Sequence, residues 1–289
     1  MDKFFDVIKA MIYGIVEGIT EWLPVSSTGH LILVEEFLPF KSTGEGFFDI
    51  FDVVIQLGAI IAVVILFWNK IWPFGLPQNQ KNPQPGILGY VKLDKIFLWL
   101  KIMVACVPAV IIGLLFDDVF DALFYNPVCV SIALIVFGVA FIVVENWNKN
   151  RRPAVRRLDD VTFKTALLIG IFQLLAAIFP GTSRSGATIV GALLIGVSRI
   201  VAAEFTFFLA IPVMFGASLL KVVKYLADGG SFTGFELVLI MIGTIVSFFV
   251  SLFIVRFLMA FIKKHNFKIF GWYRIVLGMI VLLYFGLAK

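Results

Sequence analysis

The sequence predicts an all-α integral membrane protein: six transmembrane helices plus two re-entrant helical hairpins in an inverted-topology repeat. Three observations carry this. The composition is too apolar for water, six apolar runs are uninterrupted, and two further runs are broken midway by proline and small polar residues. The 289-residue chain is 61% hydrophobic and 15% charged, with a mean hydropathy of +1.02. Soluble domains are about half apolar and about a quarter charged, so a water-soluble globule, a disordered chain, a collagen-like repeat and a disulfide scaffold are all excluded. The 32 phenylalanines suit lipid-facing helices. Cys106 and Cys129 lie inside apolar runs without metal-ligand spacing, which reads as small buried hydrophobes.

A membrane-crossing helix takes about 20 mostly apolar residues. Six segments qualify, near 50–68, 99–116, 127–145, 203–225, 236–257 and 272–287. Loops rich in Lys and Arg stay cytoplasmic. The 69–101 loop carries five lysines, 146–164 carries Lys149, Arg151, Arg152, Arg156, Arg157 and Lys164, and 258–271 carries Lys263, Lys264 and Lys268. The 117–126 connection holds Asp117, Asp118 and Asp121 and no base. One topology satisfies all four: basic loops inside, acidic connection and C-terminus outside. Lys221 and Lys224 sit near an outer end, where their stems can snorkel. The net charge of +5 belongs to these loops, and no nucleic-acid partner is expected. No cleavable signal peptide is read, because Glu17 and Glu21 interrupt the first apolar stretch.

The broken segments are 4–38 and 163–198. Pro24-Val-Ser-Ser-Thr-Gly-His30 divides the first, and Pro180-Gly-Thr-Ser-Arg-Ser-Gly186 the second. Irregular backbone at membrane depth survives only against protein or a wet cavity, so each segment reads as a hairpin of two half-helices. A pair of proline-kinked spans is the alternative. A shift of 156 residues pairs Gly14 with Gly170, Glu17 with Gln173, Pro24 with Pro180 and Ser27 with Ser183. The chain then reads as one polytopic domain, 1–289, with a first repeat over 1–145 and a second over 163–289. Each repeat is a hairpin followed by three spans. The first hairpin enters from outside and the second from inside, as in inverted-repeat proteins with a shared central site.

Ionisable groups within the membrane are candidate functional groups. Glu17 and Glu21 are four apart, on one helix face, with side-chain roots about 6 Å apart. Two such carboxylates in low dielectric repel unless a proton or cation lies between them, and a hard ion such as Mg²⁺ or Ca²⁺ suits oxygen ligands. His30, near the first break, can transfer a proton near pH 7, or it can be a structural histidine bonded to backbone. His265, in a basic loop, reads as solvated surface. At the second break, Gly181 and Gly186 allow close backbone approach, and the half-helix start presents free N–H groups. Arg184 adds a fork that matches phosphate oxygens, and the hydroxyls add donors. Arg184 could instead only neutralise Glu21 or Glu17. Together these groups describe a metal–phosphate site, though a transporter could use the same set.

Glu17-x-x-x-Glu21, Pro24-Val-Ser-Ser-Thr-Gly-His30 and Pro180-Gly-Thr-Ser-Arg-Ser-Gly-Ala-Thr188 together resemble the undecaprenyl-diphosphate phosphatase family, the bacitracin-resistance proteins. The resemblance covers nearly the whole chain. It implies hydrolysis of undecaprenyl diphosphate in the bilayer to the monophosphate, which recycles the lipid carrier of bacterial wall synthesis. It further implies a plasma (inner) membrane location, and the topology read above opens the site to the external, periplasmic face. The family's acidic pair falls on Glu17 and Glu21, its histidine on His30, its serine on Ser27 and its Ser-Arg-Ser on Ser183, Arg184 and Ser185. The phosphate-binding set then comprises Ser26, Thr28, Gly181, Thr182, Ser183, Arg184, Ser185, Gly186 and Thr188. Glu17 and Glu21 would hold the divalent cation, Mg²⁺ or Ca²⁺. Either Ser27 attacks with help from His30, or His30 or Glu21 activates water. A homodimer is plausible, with no interface marked in the sequence. The rival function is a secondary transporter or polyprenyl-phosphate flippase. A phosphatidic-acid-type phosphatase is set aside, because no histidine follows Ser183-Arg184 before His265.

Overall fold

The computed structural model describes residues 1–76, 89–124 and 126–288. Lys81, from the first basic loop, lies outside the described residues. So do the side chains of Asp117, Asp118 and Asp121. Among the described residues the regular structure is helical, with two isolated β-bridges, Phe74 to Val91 and Val155 to Val197. The chain runs α1 (Asp2–Thr20), α2 (Ser27–Phe37), α3 (Phe47–Leu66), the one-turn α4 (Trp68–Ile71), α5 (Leu93–Phe124) and α6 (Pro127–Trp147). After a 3-10 turn at Leu158–Asp160 come α7 (Phe163–Ile178), α8 (Arg184–Leu194), α9 (Arg199–Ala227), α10 (Gly234–Ile262) and α11 (Lys268–Ala288).

Six of these helices are long and apolar enough to cross a membrane: Phe47–Leu66, Leu93–Gly113, Pro127–Trp147, Arg199–Ala227, Gly234–Ile262 and Lys268–Gly286. They fall on the six expected segments. Local caps in the sequence start two of them. Asn126 accepts from the Cys129 N–H ahead of Pro127 at the start of α6. Thr233 and Glu236 form a reciprocal capping box on α10. The expectation of a connection over 117–126 is corrected: α5 continues as helix to Phe124. No glycine or proline interrupts 114–126, so a cluster of aspartates marks the end of the apolar stretch without ending the helix.

α10 shows how these helices divide their faces. Leu237, Met241, Ile245, Phe249, Phe253 and Phe257 lie on its exposed stripe, and Gly243, Ser247 and Ser251 on its buried one. The exposed stripe is large and apolar throughout, while the buried one places its small and hydroxylated residues mid-helix between Leu239 and Val255, as close helix packing inside and lipid outside require.

The two broken segments are α1–α2 and α7–α8. α1 packs chiefly on α10, and α7 chiefly on α5; α6 and α11 pack on each other. Close approach makes glycine necessary at matching places: a Cβ on Gly14 would lie 2.5 Å from the Gly243 carbonyl, and one on Gly170 only 2.2 Å from that of Ala105. Gly170→Ala should therefore cost about 1–3 kcal/mol and lower the melting temperature in detergent. An unchanged melting curve would show that this crossing is not tight.

Candidate active site

Both breaks end in the same turn. Ser26 (φ 77°) and Ser183 (φ 68°) are the non-glycine residues of positive φ among those described. Each caps the short helix that follows it. Ser26 Oγ accepts from the Gly29 N–H at 3.3 Å, and Ser183 Oγ from the Gly186 N–H at 3.2 Å. Such backbone costs of order 1–3 kcal/mol per residue and persists where its surroundings over-determine it. Ser26 and Ser183 thus hold equivalent places, each the positive-φ cap of the short helix after its break. Identity sets Ser27 against Ser183, whereas the capping role sets Ser26 against it, because Pro24 stands two residues before its capping serine and Pro180 three. At Gly181 φ is +90°, and a Cβ would stand 2.6 Å from the Val130 carbonyl, so no other residue fits there.

Glu21 joins the two breaks. Its Oε1 accepts from Arg184 Nη2 at 2.6 Å, its Oε2 from the Ser27 hydroxyl at 2.8 Å, and its carbonyl from the Ser185 hydroxyl at 3.2 Å. The carboxylate is buried, and the Arg184 side chain is only 13% exposed. Charge-assisted bonds in such a setting are short and strong. The pairing of Arg184 with Glu21, one of the roles weighed from sequence, is therefore present. α9 backs the site: Arg184 Nη1 donates to the Thr206 carbonyl at 3.4 Å, and the Thr206 hydroxyl donates to that of Thr188 at 2.9 Å. Thr188 in turn donates to the Arg184 carbonyl at 2.8 Å. The Ser183 and Ser185 hydroxyls are 3.1 Å apart. Thr182 is buried with an unpartnered hydroxyl, and Ser27 and Thr28 are half-buried at the start of α2. Among the described residues nothing accepts from the N–H of Ser183, Arg184 or Ser185.

Glu17 lies one turn before Glu21, fully buried, with neither carboxylate oxygen hydrogen-bonded. A bare carboxylate there costs several kcal/mol unless a proton or cation accompanies it. Both oxygens are free to ligate, so Glu17 fits a hard divalent ion. Among the described residues no group of three or more His, Cys, Asp or Glu is gathered to hold a metal, and of the expected Glu17–Glu21 pair Glu21 has both oxygens engaged, by Arg184 and by Ser27.

His30 is held at both nitrogens. Nδ1 lies 2.7 Å from the Ser26 carbonyl and Nε2 2.7 Å from the Tyr273 hydroxyl, with the two rings stacked. A carbonyl only accepts, so Nδ1 carries the proton and Nε2 accepts from Tyr273. The structure does not join His30 to the Ser27 hydroxyl; Glu21 holds that place. Sequence reasoning missed Tyr273, Thr206 and Arg274. Arg274 had a signal, being a charge inside the apolar run 272–287; the other two had none.

These features define a class: a polytopic helical membrane protein with a polar site built at two helix breaks in its interior. The chain belongs to the bacitracin-resistance protein family, matching over residues 10–280 the family described as "Bacitracin resistance protein BacA". It is 60% identical to the "Undecaprenyl-diphosphatase" of Desulfitobacterium hafniense, over 97% of this chain and 96% of that one. It is 58% identical to the "Undecaprenyl-diphosphatase 1" of Clostridium acetobutylicum, over 98% of each. To an "Undecaprenyl-diphosphatase" of Enterococcus faecalis it is 56% identical, over 97% of each.

Proposed function

We propose that this chain hydrolyses undecaprenyl diphosphate to undecaprenyl phosphate and inorganic phosphate. The reading rests on family membership and on one observation above all, the Ser27–Glu21–Arg184 array. The diphosphate head binds at the start of α8, where unpartnered N–H groups, Arg184 and the flanking hydroxyls match phosphate oxygens. Glu21 then accepts the Ser27 proton as Oγ attacks the terminal phosphorus and the bond to the prenyl monophosphate breaks. Water next attacks the phosphoserine, Oγ leaves with the proton from Glu21, and the water's remaining protons depart with the phosphate. Glu17, with Glu21, would hold the divalent cation, whose chemistry is to neutralise charge on the diphosphate oxygens. The prenyl tail stays dissolved in the bilayer. All groups come from one chain, so a homodimer would add none to the site.

The broken segments are read as re-entrant hairpins of an inverted repeat, 1–145 and 163–289. The exchange of partners supports this, since the first helix of each half packs on a span of the other. In the plasma membrane the basic loops then face the cytoplasm, and the diphosphate enters from the external, periplasmic side. The same exchange suits transporters, so movement of polyprenyl phosphate across the bilayer is the second reading.

In detergent, with no compartments to move between, the purified protein should release phosphate from a prenyl diphosphate. A chelator should stop release, and added Mg²⁺ or Ca²⁺ should restore it. Absence of release would favour transport. Sidedness is read with Ser27→Cys in a chain lacking Cys106 and Cys129, reconstituted in oriented vesicles. An impermeant thiol reagent should label it from outside, and a diphosphate analogue should block labelling. Labelling from the cytoplasmic side alone would reverse the orientation.

A further inference from the structure

Arg274, on α11, is fully buried and bonded only to main-chain carbonyls. Its Nη2 donates to the Gly181 and Thr182 carbonyls at 2.9 and 2.8 Å, and its Nη1 to that of Pro24 at 3.3 Å. Nε lies 3.5 Å from the Leu134 carbonyl on α6. One guanidinium thus grips both breaks within two residues of the strained serines. A Cβ on Gly186 would meet Nη1 at 2.9 Å, so the group sits directly beneath the first turn of α8. No carboxylate pairs with it among the described residues.

We infer that Arg274 is a positioning residue: it sets the orientation of the backbone donors at the start of α8 and locks the two breaks in their working register. The inference rests on the reading of that helix start as the phosphate site. A trans peptide carries its C=O and N–H on opposite sides. With the Thr182 carbonyl turned onto Arg274, the Ser183 N–H faces the other way, at the head of the unpartnered run Ser183, Arg184, Ser185. Broken helices leave carbonyls without intrahelical partners. A planar fork of five donors can serve several at once, whereas an ammonium is a point charge. The same grip on Pro24 fixes the turn that delivers Ser27 to Glu21. The buried charge, unpaired by any carboxylate, also leaves its field to the anion held on the far side of the loop. Donor alignment of this kind acts on the transition state more than on substrate binding, so its signature is in kcat.

The experiment compares Arg274→Lys and Arg274→Gln with the wild type in detergent. Activity is counted per folded molecule from the monodisperse elution peak, and melting temperature is read alongside. Both variants should lose kcat by about 30-fold or more with KM changed less than about threefold, and Lys should not rescue what Gln loses. Unchanged kcat per folded molecule with a lowered melting temperature would make Arg274 a structural peg and overturn the inference; so would failure of both variants to fold, or a loss confined to KM. Arg184→Lys and Ser27→Ala, run in parallel, test the underlying site. If they stay active the site reading fails; if they lose activity while Arg274→Lys does not, only the present inference fails.

Discussion

Glu21→Gln should lower phosphate release by about 10³-fold, within the range a positioned proton acceptor supplies. Glutamine keeps the shape and can still accept from Arg184 or Ser27, but it cannot take the serine's proton. It also leaves the Arg184 guanidinium buried without its counter-charge, so a loss of about 3–5 kcal/mol in stability is expected alongside. Glu17→Gln separates the two effects. Glu17 has no hydrogen-bond partner to lose, so the variant should fold as well as the wild type or better. Its activity should still collapse, because the pair then holds a divalent ion poorly, and excess metal should restore part of it by mass action. The measurements are phosphate release against metal concentration and the melting temperature of each variant. Near-wild-type release by the double Gln variant would sink the assignment of both residues.

Much of this architecture is legible in the sequence because the bilayer enforces simple rules. An uninterrupted apolar run with basic flanks has few alternatives, and the six spans lie where those runs are. The breaks at Pro24 and Pro180 are legible for the same reason, since proline beside small polar residues within an apolar run needs a special setting. Partners are another matter. Arg184 meets Glu21 across 163 residues and His30 meets Tyr273 across 243; such pairs are chosen by helix packing, which no local pattern encodes. His30 could be seen as chemically able, but not that both its nitrogens are engaged. Identity pairs Ser27 with Ser183 because it follows residue types, while the capping role is shared by Ser26 and Ser183. Arg274 is legible in principle: its charge stands inside an apolar run, but the run's length draws the reading toward a plain span.

Arg184→Lys should lose about 10²-fold or more in kcat/KM, although the charge is kept. The reason is geometric. Arg184 reaches the Glu21 carboxylate and the Thr206 carbonyl with separate nitrogens, and a planar fork held at both ends keeps its remaining N–H groups aimed at fixed points. An ammonium on a flexible stem would settle on the Glu21 carboxylate alone and present no second donor to a phosphate oxygen. Removing a single donor aimed at developing negative charge typically costs about 10²–10³-fold, so the loss should appear in kcat more than in KM. Ser185→Ala offers the scale: it removes a neutral donor to the Glu21 carbonyl and should cost about tenfold or less. Stability sharpens the contrast, because the substituted ammonium would still neutralise Glu21 and the variant should melt close to the wild type. If Arg184→Lys instead kept full kcat while Arg184→Gln lost it, charge alone would suffice, and the two-pronged contact with phosphate would have to be given up.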